Sequence, residues 1–258
     1  ETRFYRRSWM FSSDDEGKSK IEERVKETQK VFGYVFDKFT ILNIYKLFTS
    51  GTIGRFEFPI SSGKESLVFA ASKKDEFYAV KIYRTVASTF KNIERYAGQR
   101  WGVENTGNKR KFISQWSHRE FRNLSLAFES GVKVPRPIKV VGNILVMQYI
   151  GTKRVPAPLM KDCEITKEIV DQALDSIRTL YIKAKLVHGD LSEYNFLVYR
   201  KRPYMIDIAQ AIQTDDAMAS VLLHRDIEIM TRFFNKFGYK LDEDSILKYT
   251  VGDSSVFR

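Results

Sequence analysis

The chain has 258 residues, 43% of them hydrophobic, a single cysteine, and 43 Lys and Arg against 32 Asp and Glu, for a formal net charge of +11. That size and apolar content suffice for a substantial core in one domain or two lobes and exclude a disordered chain, while the lone Cys163 excludes an intramolecular disulfide and fits a reducing, cytoplasmic compartment. No apolar run reaches the roughly 18 residues of a membrane span, nothing at the N-terminus resembles a signal peptide, and the basic balance favours polyanionic company such as nucleotide, RNA or an acidic surface.

Residues 1–50 read as a charged, helical extension, with apolar residues at helical spacing in SKIEERVKETQKVFGYVF and KFTILNIYKLF. The period then changes. RFEFPI, SLVFAAS and FYAVKIYR are short, aromatic and β-branched, separated by the turns SSGKE and KKDE, which predicts a small antiparallel sheet. A long basic insertion occupies residues 84–111, followed by a helix around Phe112 to Phe128, the Pro-punctuated VKVPRPIKV, and a strand NILVMQYI closed by Gly151. ITKEIVDQALDSIRTLYIKAK places Ile169, Ala173, Ile177 and Leu180 on one helical face, FLVY and YMIDI flank the turn RKRP as a hairpin, and the remainder reads as helical.

Between that helix and the hairpin stands LVHGDLSEYN, Leu186 to Asn195. His188, Asp190, Leu191 and Asn195 have the spacing of the protein-kinase catalytic loop H-R-D-L-x-x-x-N, with Gly189 in place of Arg; a surface loop with helix-capping Asp and Asn is the alternative. If the loop is catalytic, a second metal ligand is expected at the end of a nearby strand, and Asp207 in YMIDIAQ is placed for it. Lys81 alternates with Phe77, Ala79 and Tyr83 and so projects from an apolar strand face, whereas Glu120 falls within roughly 40° of Ile113, Trp116, Leu124 and Ala127 in the apolar stripe of its helix. Two opposite charges set in buried faces are most simply explained as partners, because an isolated buried charge costs several kcal/mol. Against the kinase phosphate loop G-x-G-x-x-G-x-V, SSGKESLV keeps Gly63 and Val68 and puts Ser61 and Ser66 where the outer glycines stand; a plain hairpin turn is the alternative.

With SSGKES, AVKIYR, HREFRNL, VMQYIG, PAPLM, HGDLSEYN and IDIAQ in that order, the chain resembles the RIO family of atypical serine/threonine protein kinases, and KIYR, the basic insertion and PAPL resemble its first subfamily. The resemblance implies an α+β, two-lobed kinase-like fold: a small antiparallel N-lobe with one helix at 51–147, a hinge at 148–151 and a mostly helical C-lobe at 152–258. It implies Asp190 as catalytic acid and Asn195 and Asp207 as ligands of Mg2+, with Mn2+ as an alternative, and some proposals for the family have the metal-binding Asp itself phosphorylated. It also implies ATP phosphates at Ser61, Ser62, Gly63, Lys64, Glu65, Ser66, Val68, Lys81 and Glu120, and adenine at Met147, Gln148 and Ile150. Autophosphorylation or ATP hydrolysis in maturation of the small ribosomal subunit is the implied function. No A-P-E motif follows Asp207, so an activation loop and peptide-docking platform are expected to be lacking. A small-molecule phosphotransferase of the aminoglycoside or choline kinase type, and an ATP-gated RNA-binding module, are the competing readings. RNA of the pre-ribosomal small subunit is the expected macromolecular partner, held by basic and aromatic residues of the insertion 84–111.

Overall fold

Alternation of aromatic and β-branched with smaller or polar residues builds strands β1 (Arg55–Ser62), β2 (Ser66–Lys73) and β3 (Glu76–Tyr83) as an antiparallel meander. The computed structural model describes residues 36–85 and 108–252. The strand β4 (Pro137–Val141) and the apolar β5 (Ile144–Gln148) complete a sheet of order β1-β2-β3-β5-β4. Pro137 is tolerated because β4 is an edge. Helix α1 (Lys38–Thr49) starts where Asp37 accepts from the Thr40 amide at 3.0 Å, and its Ile44 and Leu47 enter a core shared with Ile53, Phe56, Leu67, Val80, Ile82, Ile144 and Val146.

The long helix α2 (Lys109–Glu129) begins earlier than the sequence pattern suggested, because the Asn108 side chain accepts from the amides of Arg110 and Lys111. The last three basic residues of the expected insertion are therefore helical. The rest of that insertion, 86–107, and the first expected helix of the extension lie outside the described residues. The chain divides into two compact units, one of the described residues up to Arg119 with Pro137–Tyr149, the other of Glu120–Arg136 with the chain from Ile150 onward.

In the second unit, Thr166 caps α3 (Lys167–Ile182), which buries Ile169, Ala173, Ile177 and Leu180 as its periodicity predicts. Its other helices are α4 (Ala219–Asn235) and α5 (Glu243–Val251), the latter capped by Asp242. Three small antiparallel pairs complete the unit: β6 (Gly151–Thr152) with β7 (Val155–Pro156), β8 (Leu186–Val187) with β11 (Ile212–Gln213), and β9 (Phe196–Tyr199) with β10 (Arg202–Met205). The hairpin turn is shorter than RKRP: only Arg200 and Lys201 lie between the paired Tyr199 and Arg202. β10 also ends before Asp207, because the left-handed backbone of that residue (φ 63°) breaks the ladder and a 3-10 turn follows at Ile208–Gln210. No helix among the described residues is long and apolar enough to cross a membrane.

Candidate active site

The stretch His188–Asn195 leaves the buried strand β8 and is anchored from α4. Asp226, 1% exposed on the apolar face of α4, accepts from the Gly189 amide at 2.7 Å and the Leu191 amide at 2.9 Å. Both bonds reach the residues flanking Asp190, so its backbone is fixed on either side. Gly189 has φ 77°, and a Cβ there would meet a Leu222 methyl at 3.2 Å; this explains why a glycine stands where the common kinase loop carries Arg. His188 is 2% exposed, and its Nε2 lies 3.1 Å from the Ile206 carbonyl oxygen. A carbonyl only accepts, so Nε2 carries the proton and donates, leaving a buried Nδ1 without a hydrogen-bond partner.

Asp190 itself is half-exposed. Gln210 Nε2 donates to its Oδ2 at 2.9 Å, and Arg225 Nη2 stands 4.0 Å from its Oδ1. Burial pushes the Asp190 carboxyl above its ordinary range, His188 and Arg225 pull it back, and the charge of Asp207 pushes it up again. That coupling shows two of the expected site carboxylates brought together.

Asn195 closes the 3-10 turn Glu193–Asn195; its Oδ1 accepts from Ser192 Oγ at 2.7 Å and its carbonyl accepts from the Ile206 amide at 2.8 Å. Asn195 is thereby tied to the residue preceding Asp207. Past Asp207, the turn is held from α2, where buried Asn123 donates to the carbonyls of Ile208 at 3.1 Å and Ala211 at 3.3 Å. The amide oxygen of Asn195 and the carboxylate of Asp207 are hard donors of the kind magnesium takes. Among the described residues no three or more His, Cys, Asp or Glu gather as a closed metal cage, and magnesium characteristically keeps water and phosphate oxygens in its shell beside one or two protein carboxylates. The donor set fits that ion.

The remaining site residues fall on both units. Ser61–Lys64 are exposed at the β1–β2 turn, where the Gly63 amide donates to the Ser66 carbonyl at 2.9 Å. Arg84 pins this turn by donating to the Gly63 carbonyl at 3.1 Å and to Ser62 Oγ at 3.3 Å, and its amide donates to the carbonyl of Glu65 at 2.8 Å. Its side chain is thus engaged at the turn. Val68 is the cross-strand neighbour of Lys81, a residue 5% exposed whose ammonium lies 5.0 Å from the Tyr83 ring centroid. In the other unit, Glu120 is 2% exposed. Met147 pairs with Ala79, Gln148 pairs with Tyr78 and is exposed, and the Ile150 carbonyl is engaged by the Ala157 amide at 2.9 Å.

Residues 67–246 match the RIO domain. The chain is 41% identical over 185 residues to the RIO-type serine/threonine-protein kinase Rio1 of Thermoplasma acidophilum, covering 71% of this chain and 98% of that one. The chain belongs to the RIO family of atypical serine/threonine-protein kinases. It is also 33% identical over 234 residues to the serine/threonine-protein kinase RIO1 of Caenorhabditis elegans, covering 88% of this chain but 46% of the relative's length. In fold it is similar to the crystal structure of the Rio2 kinase-ADP/Mg2+-phosphoaspartate complex from Chaetomium thermophilum, with TM-score 0.66, 20% identity, and coverage of 93% of this chain and 78% of that one.

Sequence reasoning passed over Asp226, Asn123, Gln210 and Arg225. The first two carried a readable signal: Asp226 falls among Leu222, Leu223, Ile227 and Met230, and Asn123 sits one turn past Glu120 on the same buried stripe. Gln210 stands between the buried Ala209 and Ala211, and Arg225 beside Asp226, but neither position shows in the sequence which acid its side chain meets.

Proposed function

We propose that the protein is an ATP- and magnesium-dependent serine/threonine phosphotransferase, with autophosphorylation or ATP hydrolysis as its basal reaction, acting in the cytoplasm in maturation of the small ribosomal subunit. The observation that carries this reading is the joining of the Asp190–Asn195 loop, which Asp226 anchors to α4, to the Asp207 turn through the His188–Ile206, Asn195–Ile206 and Gln210–Asp190 bonds. In the proposed reaction the acceptor hydroxyl oxygen attacks the γ-phosphorus of ATP, the bond to the bridging oxygen breaks to leave ADP, and Asp190 takes the hydroxyl proton. Its raised proton affinity suits a base better than that of an ordinary exposed carboxylate.

Asn195 and Asp207 would hold the magnesium ion, which when bound neutralises charge on the phosphate oxygens. Ser61–Ser66, Val68, Lys81 and Glu120 would face the phosphates, with Met147, Gln148 and Ile150 at the adenine. The fold relative's complex with ADP, Mg2+ and phosphoaspartate supports nucleotide and magnesium, and it raises Asp207 as a second phosphoryl acceptor. RNA of the small subunit is the proposed partner of the basic insertion.

The test is radiolabelled ATP with magnesium, comparing the wild type with Asp190→Ala and Asp207→Ala. Asp190→Ala should abolish transfer while ATP still binds, and Asp207→Ala should also weaken magnesium-dependent binding. Retained transfer in Asp190→Ala would end the phosphotransferase reading, and label appearing on small acceptors instead of protein would favour a small-molecule enzyme.

A further inference from the structure

Helix α1 lies ahead of the matched domain at 67–246, yet polar contacts tie it directly to the helix that carries Glu120 and, through Asn143, to the strand that carries Lys81. At its start, Asp37 pairs with Arg110 of α2 at 3.4 Å, and that guanidinium lies 5.9 Å from the Phe39 ring centroid. At its end, Lys139 of β4 donates to Ser50 Oγ at 3.0 Å and to Thr52 Oγ1 at 3.2 Å. Between them sits Asn143, fully buried in the β4–β5 turn. Its Nδ2 donates to Thr40 Oγ1 at 2.9 Å and to the Tyr83 carbonyl at 2.7 Å, while its Oδ1 accepts from Asn43 Nδ2 at 3.1 Å. Both donor hydrogens and the acceptor oxygen of the side chain are used.

The same turn reaches α2, because Ser117 Oγ donates to the Gly142 carbonyl. Gly142 has φ 55°, which favours glycine, and a Cβ there would lie 2.1 Å from Asn43 Nδ2, so the Asn43 side chain fills the space over the turn. Apolar packing of Ile44 and Leu47 already holds α1 on the sheet. A satisfied polar cluster adds something apolar contact does not: one defined register, since any slip leaves buried amides unpaired. Tyr83 follows Lys81 by two residues on β3, and Ser117 precedes Glu120 by three on α2. The turn thus bears on β3 two residues from Lys81 and on α2 three residues from Glu120.

We propose that α1 is a positioning element for phosphoryl transfer, with Thr40, Asn43 and Asn143 as positioning residues that set the strand bearing Lys81 and the helix bearing Glu120. The proposal rests on the reading of those two residues as phosphate-facing. Thr40→Val removes the hydroxyl at similar volume, Thr40→Ser keeps it, and Asn43→Ala removes the second contact to Asn143. Each is assayed for ATP–magnesium affinity by calorimetry, for kcat and KM for ATP, for KM of the acceptor, and for Tm. Below the Tm of the variants, Thr40→Val and Asn43→Ala should lose roughly ten- to a hundredfold in kcat/KM for ATP, as a misplacement of about 1 Å does, with acceptor KM unchanged and Thr40→Ser near the wild type. Folded variants as active as the wild type would overturn the proposal, as would a Thr40→Ser loss equal to that of Thr40→Val. If Asn43→Ala does not fold, Thr40→Val decides; if that too is unfolded, the cluster serves the fold and the proposal falls. A wild-type protein that neither binds nor turns over ATP would sink the reading of the site, and this proposal with it.

Discussion

Gln210 holds the carboxylate of Asp190 by a hydrogen bond at Oδ2, and Arg225, 4.0 Å from Oδ1, adds a positive charge beyond hydrogen-bonding distance. Its proton affinity is a balance: burial and Asp207 raise it, His188 and Arg225 lower it, and burial is the largest contribution. A base must be ionised to work, so the rate should fall on the acid side with a midpoint above the ordinary aspartate value of 3.8. Arg225→Ala removes an attraction that favours the ionised form and should move that limb to higher pH. A pH–kcat/KM profile of the two proteins checks this; a limb that stays in place or moves down would show that Arg225 does not govern Asp190. Asp226 is also held above its ordinary range by burial, although two backbone amides and His188 oppose the shift.

Helix α4 carries its acid into the core to serve the loop. Asp226→Ala should strand the amides of Gly189 and Leu191 in a buried setting, costing about 2–4 kcal/mol in denaturant unfolding and abolishing transfer. A stable, active variant would mean the loop holds its shape unaided. The β9–β10 hairpin makes the opposite case, an element less stable than its topology allows. Its two-residue turn places Arg200 at φ 51° and Lys201 at φ 59°, where side chains with a Cβ are strained and Asn-Gly is favoured. Replacing the pair by Asn-Gly should stabilise the protein by about 1 kcal/mol, read as a rise in the urea midpoint at constant slope. Helix α5 is fastened to α3 by Tyr249, whose hydroxyl donates to Asp175 and whose ring lies 4.6 Å from the Arg178 guanidinium carbon; burial first, then Asp175, pushes the phenol up to about 12.

At the scale of the whole molecule, the +11 charge is the property most open to test. If about five basic groups of the insertion and the start of α2 contact RNA phosphates, log K should fall with log salt at a slope of roughly −3.5 to −4.5. Charge reversal at Arg95, Arg100, Lys109, Arg110 and Lys111 should flatten it and leave ATP hydrolysis largely intact; equal binding by both proteins across a salt titration would exclude this contact. Strand and helix positions were legible because short apolar, β-branched runs bounded by turns, as in SLVFAAS, and a helical repeat, as in EIVDQALDSI, are written locally. So were the buried charges Lys81 and Glu120, each an ionic residue at an apolar position, and the Asp190–Asn195 interval. The sequence by itself thus determined the order of elements and which residues are proposed for the chemistry, since side-chain pattern and loop spacing are short-range properties of the chain. Only the tertiary structure decided that Asp226 holds the Asp190 loop, that Gln210 bonds Asp190 with Arg225 nearby, that Arg84 pins the β1–β2 turn, and that Asn143 ties α1 to β3. Each of those side-chain contacts joins residues 20 to 103 positions apart, and a hydrogen-bonding side chain carries no local mark of which distant partner the fold will bring to it.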